Sequence, residues 1–548
     1  MSERDFQFTR RQSLKFFGAA GLAAMAPSVL GMGAARAQDT PKGQIVVGFS
    51  QEPTVFNPHL LHIEVDEGVH FAIFDPLFDV DAKGNFYPLL AKEVPTVENG
   101  GVSADGLTWK VTLRDDVTWH DGTPFTAEDV KFTLELLVNP DFRSWRRTGH
   151  SLVRDITVVS PTEISWRMES AFAPYTAILA STFIVPKHGF EGADPNNAPF
   201  NNAPIGTGAY KWKQRVAGDH IELEANPGYF GDGPYLERLV LKYIPDITVL
   251  YTQLKTGDID VLALQWISPD NYEEAKTLPD RVVEVFGAPF FEGLSFNLQR
   301  PQFKERAVRE ALYYAVDKQT IIDALYYGVP QATESYMPRE SYYYNANLPV
   351  QEYNLDKARA LLDEAGWKPG SDGIREKDGV RLAFTCSTTS GNHLREQAQQ
   401  FLQQSFREIG VDMQIGNLPP AVMWGDHWML SQFDMALAGL SCLTGPDPDT
   451  SDYFLSTSSP AKGGNGQNTW VYENPEVDEL LKKGGALVSP EERLPIYQRI
   501  QEIMRHDLPF LPIFQYANIR GYKTGIQGVE ANINNRIDTW NVRSWRWA

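Results

Sequence analysis

The sequence predicts a layered α/β protein with more than one domain, and three observations carry that prediction. At 548 residues the chain exceeds what one hydrophobic core usually supports. Its 42% hydrophobic and 22% charged residues are the proportions of a folded globular protein rather than a disordered one. Segments with the two-residue alternation of strands interleave with segments of helical spacing along the chain, the pattern of sheets covered by helices. No low-complexity block and no short internal repeat interrupts that pattern.

The N-terminal segment stands apart from the rest. Arg10 and Arg11 in TRRQSLKFF precede the apolar run FFGAAGLAAMAPSVL, which has the length of a signal peptide and is too short and too rich in Gly and Ala for a membrane span. Ala35 and Ala37 supply the small residues that a signal peptidase reads, so residues 1–37 are expected to be a signal peptide cleaved after Ala37. The paired arginines resemble a twin-arginine (Tat) signal, which exports folded proteins, the alternative being an ordinary Sec signal with a chance arginine pair. No cysteine follows the cleavage point, so no lipid anchor is expected. The expected location is the periplasm, with the chain free in solution.

Beyond the leader, GQIVVGFS (43–50) is a β-branched run closed by a small polar residue and reads as a strand, as does the alternating TWKVTLRDDVTWH (108–120). TAEDVKFTLELLV (126–138) has helical spacing, with Thr126 as N-cap and Asp129 at the capping-box position. FKERAVREALYYAVDKQTIIDALYYG (303–328) predicts one long helix stopped by Gly328, and NLDKARALLDEAGW (354–367) a capped helix ended by Gly366. HLREQAQQFLQQSFREIG (393–410) predicts a helix leading into the strand VDMQIG, a unit typical of a layered α/β domain.

Charge and motif content exclude several function classes. A formal net charge of −20 argues against a nucleic-acid partner, because that binding begins with clustered Lys and Arg. There is no GxSxG elbow, and the glycine-rich PIGTGAYKW lacks the Gly-Lys-Ser/Thr end of a phosphate loop, so no catalytic residues and no cofactor are assigned. His120 and Asp121 in TWHDGTPF lie in a strand-to-turn context that reads as structural. His59, His62, Glu64 and Asp66 match no compact metal-ligand spacing, so no metal is expected. Cys386 and Cys442 are the only cysteines, and export would permit a disulfide between them without requiring one.

Several segments in order resemble one family. FYPLLAKEV, DGLTWKVTLRDDVTWHDGTPFTAEDVKFTLELL, PIGTGAYKW, NPGYFGDGPYLERLVLKYIPD, QLKTGDIDV, FEGLSFNLQRPQFKERAVREALYYAVDKQTII, NLDKARALLDEAGW and the DPD at 447–449 are similar to the peptide, dipeptide and nickel class (family 5) of solute-binding proteins. The resemblance implies a bilobed periplasmic-binding-protein fold, type II-like, with an extra subdomain inserted in the first lobe. Carried onto this chain, the first lobe holds 38–71 and 186–286, the insertion 72–185, the second lobe 287–510, and 511–548 return to the first lobe. Hinge strands are then expected near Phe286–Pro289 and Pro512–Gln515. The implied role is a monomeric receptor that encloses a solute between its lobes and hands it to the permease subunits of an ABC importer.

The resemblance also selects candidate ligand-binding residues. QEPTVFNPH, with Thr54 and Phe56, follows the first strand at the expected cleft wall, and its ring would stack on a sugar or a peptide side chain alike. Trp424, an aromatic outside any periodic run in MWGDHWML, and Gln515, at the second hinge strand, are further candidates. The loop LSCLTGPDPDTSDYF contributes Ser441, Cys442, Thr444 and Asp447. In dipeptide and oligopeptide receptors an aspartate at the position of Thr444 pairs with the ligand's ammonium, so here the strongest contact to a peptide N-terminus is missing. Cys386 falls about where some dipeptide receptors carry a tryptophan. Asp447 and Asp449 read as shaping a turn, with Asx-type bonds. Two ligand classes stay open: a peptide or peptide-like solute, with the lost charge supplied elsewhere by Glu52 or Asp449, and an opine, oligosaccharide or other polar solute. An exported hydrolase is the alternative from outside the receptor class.

Overall fold

The computed structural model describes residues 40–548 other than 145, 146, 265, 420, 421, 444, 465, 535 and 536. The expected signal peptide and Thr444 lie outside the described residues.

An eleven-stranded sheet runs through the molecule and is built in two halves. In the first, Gln44–Phe49 lies parallel to Arg238–Tyr243 on one side and to Val261–Leu262 on the other, and His220–Ala225 and Tyr210–Val216 extend it antiparallel. The alternation in QIVVGF explains its place: Ile45, Val47 and Phe49 enter one core while Val46 packs against a cluster on the opposite face. In the second half Ala383–Ser387 lies parallel to Asp412–Ile415 and to Met435–Leu440.

Two long antiparallel strands, Arg281–Phe296 and Phe510–Lys523, join the halves. Their pairing runs from Arg281 opposite Lys523 to Gly287 opposite Ala517, breaks, and resumes with Phe291 opposite Gln515. Ala288, Pro289 and Phe290 are outside the regular ladder, and Pro289 has no N–H to contribute to it. Breaks of this kind bend a strand pair and increase its local twist.

Each half has its own apolar core. Leu239, Leu241 and Val261 belong to the first, and Leu312, Phe384 and Leu437 to the second. A third core lies within residues 77–184, under a three-stranded sheet ordered Thr108–Thr112, Glu163–Met168, Val153–Ser160. There Trp109 and Trp166 stack at 5.9 Å with their planes 12° apart. The result is a bilobed α/β fold with a subdomain inserted in the first lobe. The C-terminal segment rejoins the first lobe: Ile526 and Trp545 enter its core, and the Trp547 indole N–H donates to the Gln44 carbonyl at 2.9 Å.

Local capping explains which elements matched expectation. Ala127–Val138 forms with the Thr126 hydroxyl accepting from the Glu128 N–H at 3.3 Å and Asp129 accepting from the Thr126 N–H at 3.0 Å. Leu355–Glu364 is capped by Asn354, which accepts from the Lys357 N–H at 2.9 Å. Two elements differ. The single helix expected over 303–328 is three helices, Pro301–Lys304, Arg306–Tyr314 and Lys318–Leu325, because Glu305 is extended between the first two and Asp317 accepts from the Thr320 N–H at 3.0 Å and starts the third. The strand expected over 108–120 ends at Thr112, and Trp119 instead closes a local turn by donating its N–H to the Thr123 carbonyl at 2.8 Å.

Cys386 and Cys442 are both free and buried. They lie in cores on opposite faces of the second-lobe sheet, as the alternation of Met435 and Leu437 against Ala436 and Ala438 shows. No helix among the described residues is long and apolar enough to cross a membrane.

Candidate ligand-binding cleft

In both lobes the parallel strands end on the same cleft, where loops leaving their C-terminal ends meet, the usual place for a ligand in open α/β sheets. Leu264, Trp266, Ile267 and Ser268 follow Val261–Leu262, and Thr389 to Asn392 follow Ala383–Ser387 and lead into the helix His393–Glu408. Together with Phe286–Phe290 and Tyr516–Ile519 of the long strands they enclose a cavity of about 730 Å³. Its volume and position between lobes are those of a small-molecule or peptide site.

The first-lobe wall is aromatic and held under backbone strain. Leu264 and Trp266 adopt φ of 50° and 51°, in the left-handed region that bulky residues rarely enter. This turns the Trp266 ring edge-on to Phe286, with centroids 5.1 Å apart and planes at 82°. The Arg520 guanidinium lies 5.2 Å from the centre of the Phe286 ring.

Two charged networks border the cavity. On the second-lobe side Arg395 pairs with Glu292 through two bonds of 2.9 and 3.0 Å and donates to Tyr516 at 3.2 Å, while the Tyr516 hydroxyl donates to Glu292. Burial opposes the Arg395 charge, but Glu292 outweighs it and holds the guanidinium protonated. Gly439 makes room for this network, since a Cβ there would lie 2.8 Å from an Arg395 nitrogen and 3.1 Å from the Tyr516 ring. On the first-lobe side Arg520 pairs with Glu284 at 2.5 Å and with Asp538 at 3.3 Å. Burial raises the Asp538 carboxyl to about 7 despite Arg520, and Glu284 adds to the rise. Asp538 is 2% exposed, and its Oδ2 has no hydrogen-bond partner among the described residues.

A second cavity of about 1020 Å³ continues the cleft past Pro289 and Ile533, between the inserted subdomain and the second lobe. The two bodies touch at its rim, where the Ala173 N–H donates to the Gly485 carbonyl at 2.8 Å. Asp447 lines this cavity, but both its oxygens accept from Arg493, at 2.8 and 2.9 Å. One of them also accepts from the Asp449 N–H at 2.8 Å, an Asx bond across the DPD turn.

Among the described residues that sequence reasoning selected, Asp447 alone lines either cavity. Thr54 is exposed and gives its N–H to Asp66 at 2.6 Å. Phe56 is buried 4.6 Å from the Trp212 ring. Cys386 is enclosed in the second-lobe core, with Gln399 donating to its carbonyl at 3.0 Å. Ser441 and Cys442 are buried behind the DPD loop, and Trp424 is partly exposed with its ring 5.5 Å from Trp428. Gln515 lies beside the break in the long strands, donating to Glu340 at 2.8 Å and accepting from the Arg339 N–H at 3.0 Å. Trp266, Phe286, Arg395, Tyr516 and Asp538 were missed. The signal available was the position of Trp266 just after a strand and of Phe286 in the expected hinge segment, whereas the charged groups come together only in three dimensions.

Residues 85–463 match the family model described as bacterial extracellular solute-binding proteins, family 5 Middle. The chain belongs to this family. Among family-5 relatives it is 28% identical over 520 residues to the oligopeptide-binding protein AppA of Bacillus subtilis (strain 168), covering 92% of this chain and 91% of that protein. It is 31% identical over 367 residues to the nickel-binding periplasmic protein of Escherichia coli (strain K12), covering 66% of this chain and 68% of that protein. The structure of Bacillus subtilis AppA in complex with a nonapeptide superposes with a TM-score of 0.78 at 26% identity, covering 93% of this chain and 100% of that one. The family assignment agrees with the resemblance seen in the sequence motifs and with the two-lobed cleft.

Proposed function

We propose that this family-5 protein captures a peptide or peptide-like solute between its lobes and presents it to the permease subunits of an ABC importer. The observation that carries the reading is the cavity of about 730 Å³ walled by both lobes and floored by the long strands that connect them. Rotation about the break at Ala288–Phe290 would open and close it, so ligand contacts to both walls favour the closed form. The peptide class is supported by AppA, whose name is oligopeptide-binding and whose structure holds a nonapeptide. The protein is exported through its N-terminal segment, acts as a monomer in the periplasm and releases its ligand chemically unchanged. Mass spectrometry of ligand carried through purification tests this. Intact peptides are the expected result, sugars or opines would replace the ligand class, and hydrolysis products accumulating on incubation would overturn the receptor role.

A further inference from the structure

We infer that Asp538, backed by Arg520 and Glu284, receives a protonated amine of the ligand at the hinge side of the cleft. The inference rests on the reading of the cavity as a peptide site, and it supplies an ammonium partner that the sequence does not offer at Thr444.

Asp538 lines the cavity, is 2% exposed, and leaves Oδ2 without a hydrogen-bond partner among the described residues. A buried acceptor in that state is costly, and an N–H donor from a ligand relieves the cost. The charge balance specifies the donor further. Among the described residues Arg520 offers one positive charge to Glu284 and Asp538, so once Asp538 ionises the cluster carries one negative charge in excess, and a ligand cation draws it to that form. Arg395 across the cavity cannot neutralise it, because its guanidinium is already matched by Glu292 through two bonds. A cationic donor satisfies both the orphan oxygen and the excess charge, and an ammonium brings three donors to do so. The Trp266 and Phe286 rings line the same wall.

The other acids considered for this role are engaged elsewhere. Asp447 is paired by Arg493 through both oxygens. Asp449 accepts from the Ser451 hydroxyl at 2.7 Å and lines neither cavity. Glu52 accepts from Arg215 at 2.6 Å and from the Gly218 N–H at 3.0 Å, also outside both cavities.

The test is tryptophan-fluorescence titration of the purified protein with a casein digest in three forms: untreated, reductively dimethylated so that amines keep their charge, and acetylated so that they lose it. Wild type should bind the first two alike and the acetylated digest about tenfold or more weakly, the scale of one charge-assisted contact. Asp538→Asn should bind all three within about twofold of one another. Equal binding of the acetylated digest by wild type overturns the ammonium contact while the peptide reading stands. A dimethylated digest as weak as the acetylated one assigns the loss to bulk and overturns it too. An Asp538→Asn variant that keeps the wild-type preference shows the amine is held by another group. Should the variant fail to fold, the three-way comparison on wild type still decides whether charge is read. Failure of every digest to bind wild type overturns the peptide reading itself.

Discussion

Asp447 and Asp538 are two buried carboxylates on the walls of one cleft, 8% and 2% exposed, yet their hydrogen bonding differs. Both Asp447 oxygens are bonded by the Arg493 guanidinium, which is further fixed by donating to the Gly484 carbonyl at 3.0 Å. Asp538 shares its guanidinium with Glu284 and keeps one oxygen without a partner among the described residues. The first arrangement is closed and builds the DPD turn. The second is incomplete and faces the cavity. An acid in a binding cleft is therefore identified as structural or ligand-facing by what its cluster still lacks, not by the motif that contains it.

The largest effect that sharpens this contrast is on the closed side. Arg493→Ala leaves Asp447 buried without its cation and should cost about 3–5 kcal/mol of stability, read from urea denaturation. A loss below about 1 kcal/mol, the range of a surface pair, would mean that Asp447 is not held as described. Next in size is Trp266→Ala, which removes an aromatic wall of the hinge cavity and should weaken digest binding by about tenfold. The cavity wall would be discounted by an unchanged titration. Its thermal unfolding should shift little, because Trp266 is only half-buried.

A smaller effect distinguishes the two acids by pH. Asp538 titrates at about 7 in the folded protein, against an ordinary 3.8, because burial and then Glu284 outweigh Arg520. Between about 4 and 7 the folded state holds a proton that the unfolded chain has released, so this contribution to stability is fully present at acid pH and is lost as pH rises through that window. Wild type should therefore lose more stability than Asp538→Asn between pH 4 and pH 7, by parallel denaturation series. Parallel curves would contradict the raised carboxyl. The least effect concerns the cysteines: burial pushes the Cys386 thiol up to about 12 and the Cys442 thiol higher still, so neither should react with a thiol reagent until the protein unfolds.

The sequence exposed what is local. The capping box at Thr126 and Asp129 and the Asn354 cap were legible because donor and acceptor lie within three residues. The long helix over 303–328 was misread because Asp317 looks like any exposed acid until its side chain is seen capping Thr320. The family motifs pointed to a cleft between two lobes, but not to which side chains face it. Arg520, Glu284 and Asp538 come from three distant segments brought side by side by the pairing of the long strands and the C-terminal return. Phe56 and Cys386 illustrate the converse: sequence position placed them near the cleft, while packing against Trp212 and burial in the second-lobe core turned them inward.

Hydrogen exchange measured with and without saturating casein digest tests the central claim that ligand is enclosed at the hinge. Amides in 264–268, 389–395 and 516–519 should slow together on binding, since both lobes and the connecting strand line one cavity. Protection confined to the distal cavity around Tyr342 and Asp447, with those three segments unchanged, would contradict it.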